Sequence, residues 1–131
     1  MRLSSTTPPM STVRRLALAF VVLWFAIGGV CHFLLTPWFV RIVPPFVPAP
    51  LAAVLLSGLF ELLGAAGVTM KRTRRMAGIG LTLLTIAVTP ANVFMFQHAE
   101  RFPDIPPWLL LVRLPLQLAL IACILWSTRR R

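Results

Sequence analysis

The chain has 131 residues, 58 % of them hydrophobic, and its thirteen Lys and Arg against three Asp and Glu give a formal charge of +10. So apolar a chain is not an ordinary soluble domain, and its length leaves no room for two domains. The cations sit at the ends of apolar runs rather than in one patch, which argues against a nucleic-acid partner in spite of the charge.

Four apolar runs, about residues 14–35, 51–70, 76–95 and 108–127, each approach the ~20 residues that cross a hydrocarbon core. They predict an all-α fold, an integral membrane antiparallel four-helix bundle occupying residues 14–128. Residues 1–13, with SSTTPPMST, read as a flexible tail, and residues 129–131 as a basic end. Ten of the thirteen cations fall at one side: Arg2, Arg14, Arg15, Lys71, Arg72, Arg74, Arg75, Arg129, Arg130 and Arg131. That bias places both termini in the cytoplasm, with membrane lipids as the first partner. The first run is too long for a signal peptide and no small-x-small site follows it, so it is read as retained.

Taken in order, the first span carries Gly28 and Gly29 just before His32, small residues that allow close helix approach. The connection TPWFVRIVPPFVPAP is too apolar for a solvated loop. Thr36 is expected to cap a short turn with Pro37 in its first position, and Pro44 and Pro45 to end it. This Pro-rich segment is expected to lie in the membrane interface or fold back as a lid built on Trp38, Pro44 and Pro45, with Trp38 and Trp108 in an aromatic belt.

The second span places Ser57, Gly58, Glu61, Gly64, Ala65 and Val68 on one face. A carboxylate at mid-span costs roughly 2.5–3.5 kcal/mol on insertion scales, so Glu61 calls for a partner or a task. A tight KRTRR hairpin follows. In the third span Gly78, Thr82, Thr85, Thr89, Asn92 and Phe96 form a seam of small and polar residues expected to face protein, and Pro90 is expected to bend the helix. The last span carries Arg113 and Gln117 on one face.

Counted inward at ~1.5 Å per residue, His32 and Asn92 lie about 5 Å deep, Arg113 about 8 Å, Gln117 about 14 Å and Glu61 about 15 Å. These five define a candidate ligand-binding pocket in the outer half, with Glu61 and Arg113 expected to pair. The polar set reads also, and first, as glue that holds the helices in register. Cys31 and Cys123 lie too far apart in depth to bridge, and no CxxC is present. The two histidines alone do not mark a haem site. No metal site or catalytic residue is expected.

The ordered series His32-Phe33, Ile42-Val43-Pro44-Pro45, Ser57-Gly58 with Glu61 and Gly64, Arg74-Arg75, Pro90-Ala91-Asn92 with Met95, and Arg113-Leu114-Pro115 with Gln117 resembles the DoxX-like membrane proteins over about residues 24–126. The resemblance implies a four-helix fold in a bacterial inner membrane. It links the chain to the membrane subunit of a thiosulfate:quinone oxidoreductase, to oxidative-stress complexes and to receptor-assembly chaperones. The family's polar positions would fall on His32, Glu61, Asn92, Arg113 and Gln117. Cys31 departs from the apolar residue expected there, and the missing cysteine pair argues against thiol chemistry.

The leading expectation is a non-catalytic or accessory membrane protein that binds a small apolar molecule, a quinone or a lipid. The alternatives are a membrane subunit of a quinone-linked oxidoreductase, with Glu61 and His32 relaying protons, and a structural partner or membrane chaperone docking through its glycine faces. A redox or other membrane protein partner, or a second copy of the chain, would complete the assembly.

Overall fold

A computed structural model describes residues 8–130. Arg2, Arg131 and most of the polar tail lie outside the described residues. Among those described, every regular element is helical: α1 (Thr12–Leu34), α2 (Thr36–Arg41), α3 (Pro50–Thr69), α4 (Arg74–Gln97), a 3₁₀ turn (Ala99–Arg101) and α5 (Pro107–Thr128). The four long helices are apolar enough to cross a membrane. Large apolar side chains such as Leu16, Ile27, Leu63, Leu83 and Leu118 are exposed on their outer faces. Water would not tolerate so broad an apolar surface, whereas lipid would. The chain is a multi-pass membrane protein by this criterion.

Local chemistry sets the helix ends. Ser11 caps α1 by accepting a hydrogen bond from the Arg14 amide at 3.3 Å. Prolines open α3 and α5, where a missing N–H is harmless. Between α3 and α4 the Thr73 hydroxyl donates to Gly67 O at 2.7 Å and Arg74 Nε to Val68 O at 2.9 Å, so the turn occupies the last carbonyls of α3. Thr36 does not cap α2 as expected. Its hydroxyl turns back to donate to His32 O and Phe33 O, at 2.7 and 3.0 Å, and closes the end of α1 instead. Pro90 and Pro115 are accommodated inside α4 and α5, which run through them.

The long helices pack in a ring: α1 on α3, α3 on α4, α4 on α5, and α5 back on α1. The α1–α3 contact is the most extensive. A Cβ built at Gly58 would lie 2.7 Å from His32 Cβ, and one at Gly29 would lie 2.9 Å from the Gly58 carbonyl, so glycine is required at both.

The core is split in two. One apolar cluster joins Leu18, Val21, Phe25, Ala65, Val68, Leu81 and Ile124. The other joins Ile42, Met95, Phe102 and Leu110, with Trp38 and Phe39 packed against it. On α4 the stretch between the clusters holds Thr82, Thr85, Thr89 and Asn92, and on α5 it holds Arg113 and Gln117. The interior therefore alternates apolar, polar, apolar along the ring axis.

Candidate functional site

The polar layer begins with His32. Its Nδ1 lies 3.1 Å from Val54 O, and a carbonyl can only accept, so Nδ1 carries the proton. Nε2 is then left facing Glu61, whose Oε2 is 3.7 Å away. With Nδ1 committed, a neutral pair holds one proton to distribute between Nε2 and the carboxyl. This is the one ion pair found among the described residues. Glu61 also rests on Gly28, where an added Cβ would stand 3.3 Å from Oε2.

The expected Glu61–Arg113 pair is not formed. Arg113 Nη1 instead donates to Met95 Sδ at 3.4 Å. Two features of the ring explain this. Helix α3 packs on α1 and α4, and α5 on α4 and α1, so Glu61 and Arg113 stand on helices across the ring from each other. Helical side chains also lean toward the N-terminus of their own helix. Glu61 leans toward Pro50 and His32 toward Thr12, which brings those two together. Arg113 leans toward Pro107, and so toward the Met95 cluster.

Gln117 reaches α4, where Nε2 donates to Thr85 O at 3.5 Å. Its Oε1 and the Glu61 Oε2 are buried without a hydrogen-bond partner among the described residues. Asn92 is buried on α4. The threonine seam is internally satisfied: Thr82, Thr85 and Thr89 donate to Gly78, Leu81 and Thr85 carbonyls at 2.9, 2.8 and 3.0 Å. Its first five positions are at least partly buried, whereas Phe96 is exposed and Met95 takes its place in the core.

The first connection covers this layer at one end. The Phe39 ring lies 4.2 Å from that of His32, Trp38 meets Phe39 edge-on at 5.2 Å, and Ile42 enters the second cluster. Pro44 is buried, while Pro45 and Phe46 are exposed. Arg41 donates to Arg101 O at 3.1 Å and lies over the Phe102 ring, tying the two connections at this end.

Two open cavities lie elsewhere. A groove of about 710 Å³ runs between α3 and α4, lined by Leu63, Gly64, Met70 and Leu81 among others. A second, of about 330 Å³, is lined by Arg75, Ile79, Leu125, Thr128, Arg129 and Arg130. None of the five expected ligand residues lines either.

Sequence reasoning missed Arg14. Counted as a topology charge, it is 4 % exposed, and it donates from Nε to Ser127 O at 2.9 Å and from Nη2 to Arg129 O. Its place among other terminal arginines gave no signal for this. Cys31 and Cys123 are both free, and among the described residues no cluster of His, Cys, Asp and Glu could hold a metal.

Residues 10–129 match the family described as a domain of unknown function, DUF8561. The chain belongs to this family. Neither the curated proteins nor the solved structures contain a match to the chain. The family match spans all four long helices, so the polar layer and both apolar clusters lie within the matched residues.

Proposed function

We propose that this protein binds a small, largely apolar molecule with a polar end, such as a quinone or a lipid, and acts as an accessory component without catalysis of its own. The observation that carries the reading is two buried oxygens without a hydrogen bond, Glu61 Oε2, which has only His32 Nε2 at 3.7 Å, and Gln117 Oε1, in a polar layer between two apolar clusters. Buried acceptors of this kind call for a donor, and a ligand hydroxyl would supply one. His32, Asn92 and Arg113 would contribute further contacts to the polar end. Trp38, Pro44 and Pro45 belong to the segment that would act as a lid and move to admit the ligand.

In this reading the four helices form an antiparallel bundle in a bacterial inner membrane. Both termini face the cytoplasm, and the segment around α2 lies at the outer interface. The cation bias supports the orientation. The ordered residue series shared with the DoxX-like proteins supports a relationship to that family.

The test is native mass spectrometry with lipid extraction of the purified protein. A retained quinone or lipid that E61Q and Q117L each release supports the reading; a protein free of bound molecules overturns it.

The His32–Glu61 pair favours a second reading, a membrane subunit of a quinone-linked oxidoreductase in which the pair relays protons. Quinone reduction by the assembled complex would then be lost in E61Q with the fold intact. Docking of a protein partner through Gly28 or Gly64 finds less support, because both already contact neighbouring helices within the chain.

A further inference from the structure

We propose that the cavity between the first turns of α4 and the last turn of α5 binds the phosphate of an anionic phospholipid. This site is independent of the polar layer and of the function proposed for it.

The cavity, of about 330 Å³, is lined by Arg75, Arg129 and Arg130 together with Ile79, Leu125 and Thr128. That volume is at the lower end of the ~300–1,000 Å³ typical of small-molecule sites. The combination of three arginines with two aliphatic side chains suits a phosphodiester whose acyl chains continue along the bundle. Free phosphate would have no use for Ile79 and Leu125. The Thr128 hydroxyl is already committed to Ile124 O at 2.7 Å, which leaves the arginines as the donors.

No Asp or Glu side chain lies near these arginines. The three acids of the chain are Glu61, Glu100 and Asp104. Glu61 is at mid-helix in α3, and the other two follow the far end of α4. An anion brought by the membrane is therefore the natural counter-charge.

The backbone at the cavity is also prepared for an anion. The last carbonyls of a helix form its negative pole. At α5 that pole is covered by Arg14, which is buried and donates to the carbonyls of Ser127 and Arg129. A Cβ at Gly78 would overlap the Thr128 side chain, so α4 and α5 are in close contact beside the cavity and hold its walls in place. The Arg129 guanidinium lies 5.8 Å over the Trp126 ring. Trp126 is part-exposed on the outer surface, the position of a tryptophan at headgroup level.

The experiment uses the full chain in nanodiscs of phosphatidylcholine with a minor fraction of phosphatidylglycerol, and counts retained phosphatidylglycerol by native mass spectrometry. Wild type should retain it selectively, and R75Q/R129Q/R130Q should lower its apparent affinity by about tenfold to a hundredfold, given three cations at a charged surface. K71Q/R72Q, on the turn outside the cavity, should retain it. Equal loss in both variants, or no loss in the triple variant, overturns the site. Displacement of the lipid by millimolar inorganic phosphate assigns the cavity to a free anion and overturns the lipid source. Should the triple variant fail to fold by circular dichroism, R129Q/R130Q, beyond the last residue of α5, carries the same comparison.

Discussion

His32 Nε2 faces Glu61 Oε2 at 3.7 Å while the opposite ring nitrogen is held 3.1 Å from the Val54 carbonyl. The carbonyl fixes the tautomer, and the tautomer decides which atom meets the acid. Nitrogen NMR of selectively labelled protein should therefore show the neutral His32 ring protonated at Nδ1. A ring protonated at Nε2 would contradict this geometry.

Coupling energies separate the observed pair from the expected one. In a double-mutant cycle on unfolding in detergent, His32→Asn with Glu61→Gln should give an interaction energy in the range of about 0.5–3 kcal/mol, as contacting residues do. Glu61→Gln with Arg113→Gln should be additive to within about 0.5 kcal/mol, since the two side chains lie on helices that face each other across the ring. Strong coupling in the second cycle would restore the pairing that the structure does not contain.

The α1–α3 crossing can be tested with one methyl group. At Gly58 an added Cβ meets His32 Cβ at 2.7 Å and Gly29 O at 3.2 Å, and neither a Cβ nor a backbone atom can move alone. Gly58→Ala should lower stability by about 1–3 kcal/mol, the usual cost of overpacking. At Gly80 an added Cβ meets nothing within 4 Å, so Gly80→Ala should be neutral or stabilising by up to ~1 kcal/mol through helix propensity. Thermal unfolding of the two variants in the same detergent makes the comparison.

Arg14 predicts a local effect at a distant point of the chain. Replacing it with Leu removes the donors to Ser127 O and Arg129 O and leaves the buried Ser127 carbonyl without this partner, at a cost of about 1–3 kcal/mol. Hydrogen exchange should rise in the last turn of α5, around Ser127 and Thr128, while exchange near Pro50 and Leu51 stays unchanged. Equal protection in wild type and variant would show that Arg14 is dispensable there.

Much of the architecture is a local property and is legible in the sequence. The four apolar runs coincide with α1, α3, α4 and α5 to within two residues at every end, because hydropathy and the flanking prolines act on neighbours in the chain. The small residues Gly28 and Gly29 announced a close helix contact beside His32 for the same reason. The buried seam from Gly78 to Asn92 was visible as a repeat, and only its last member moved, from Phe96 to Met95.

The site was legible as a set of residues but not as a set of contacts. Depth along a helix can be counted from the sequence, which is how Glu61, Arg113, Asn92, Gln117 and His32 came to be grouped. Azimuth around the ring and the lean of each side chain cannot be counted. Those two quantities pair Glu61 with His32, send Arg113 to Met95 and turn Arg14 inward to the end of α5. The sequence by itself determined how many long helices there are and which of their residues are polar. Tertiary structure alone decided which polar groups meet, because the meeting depends on helix order and side-chain direction, and both are set by packing between segments far apart in the chain.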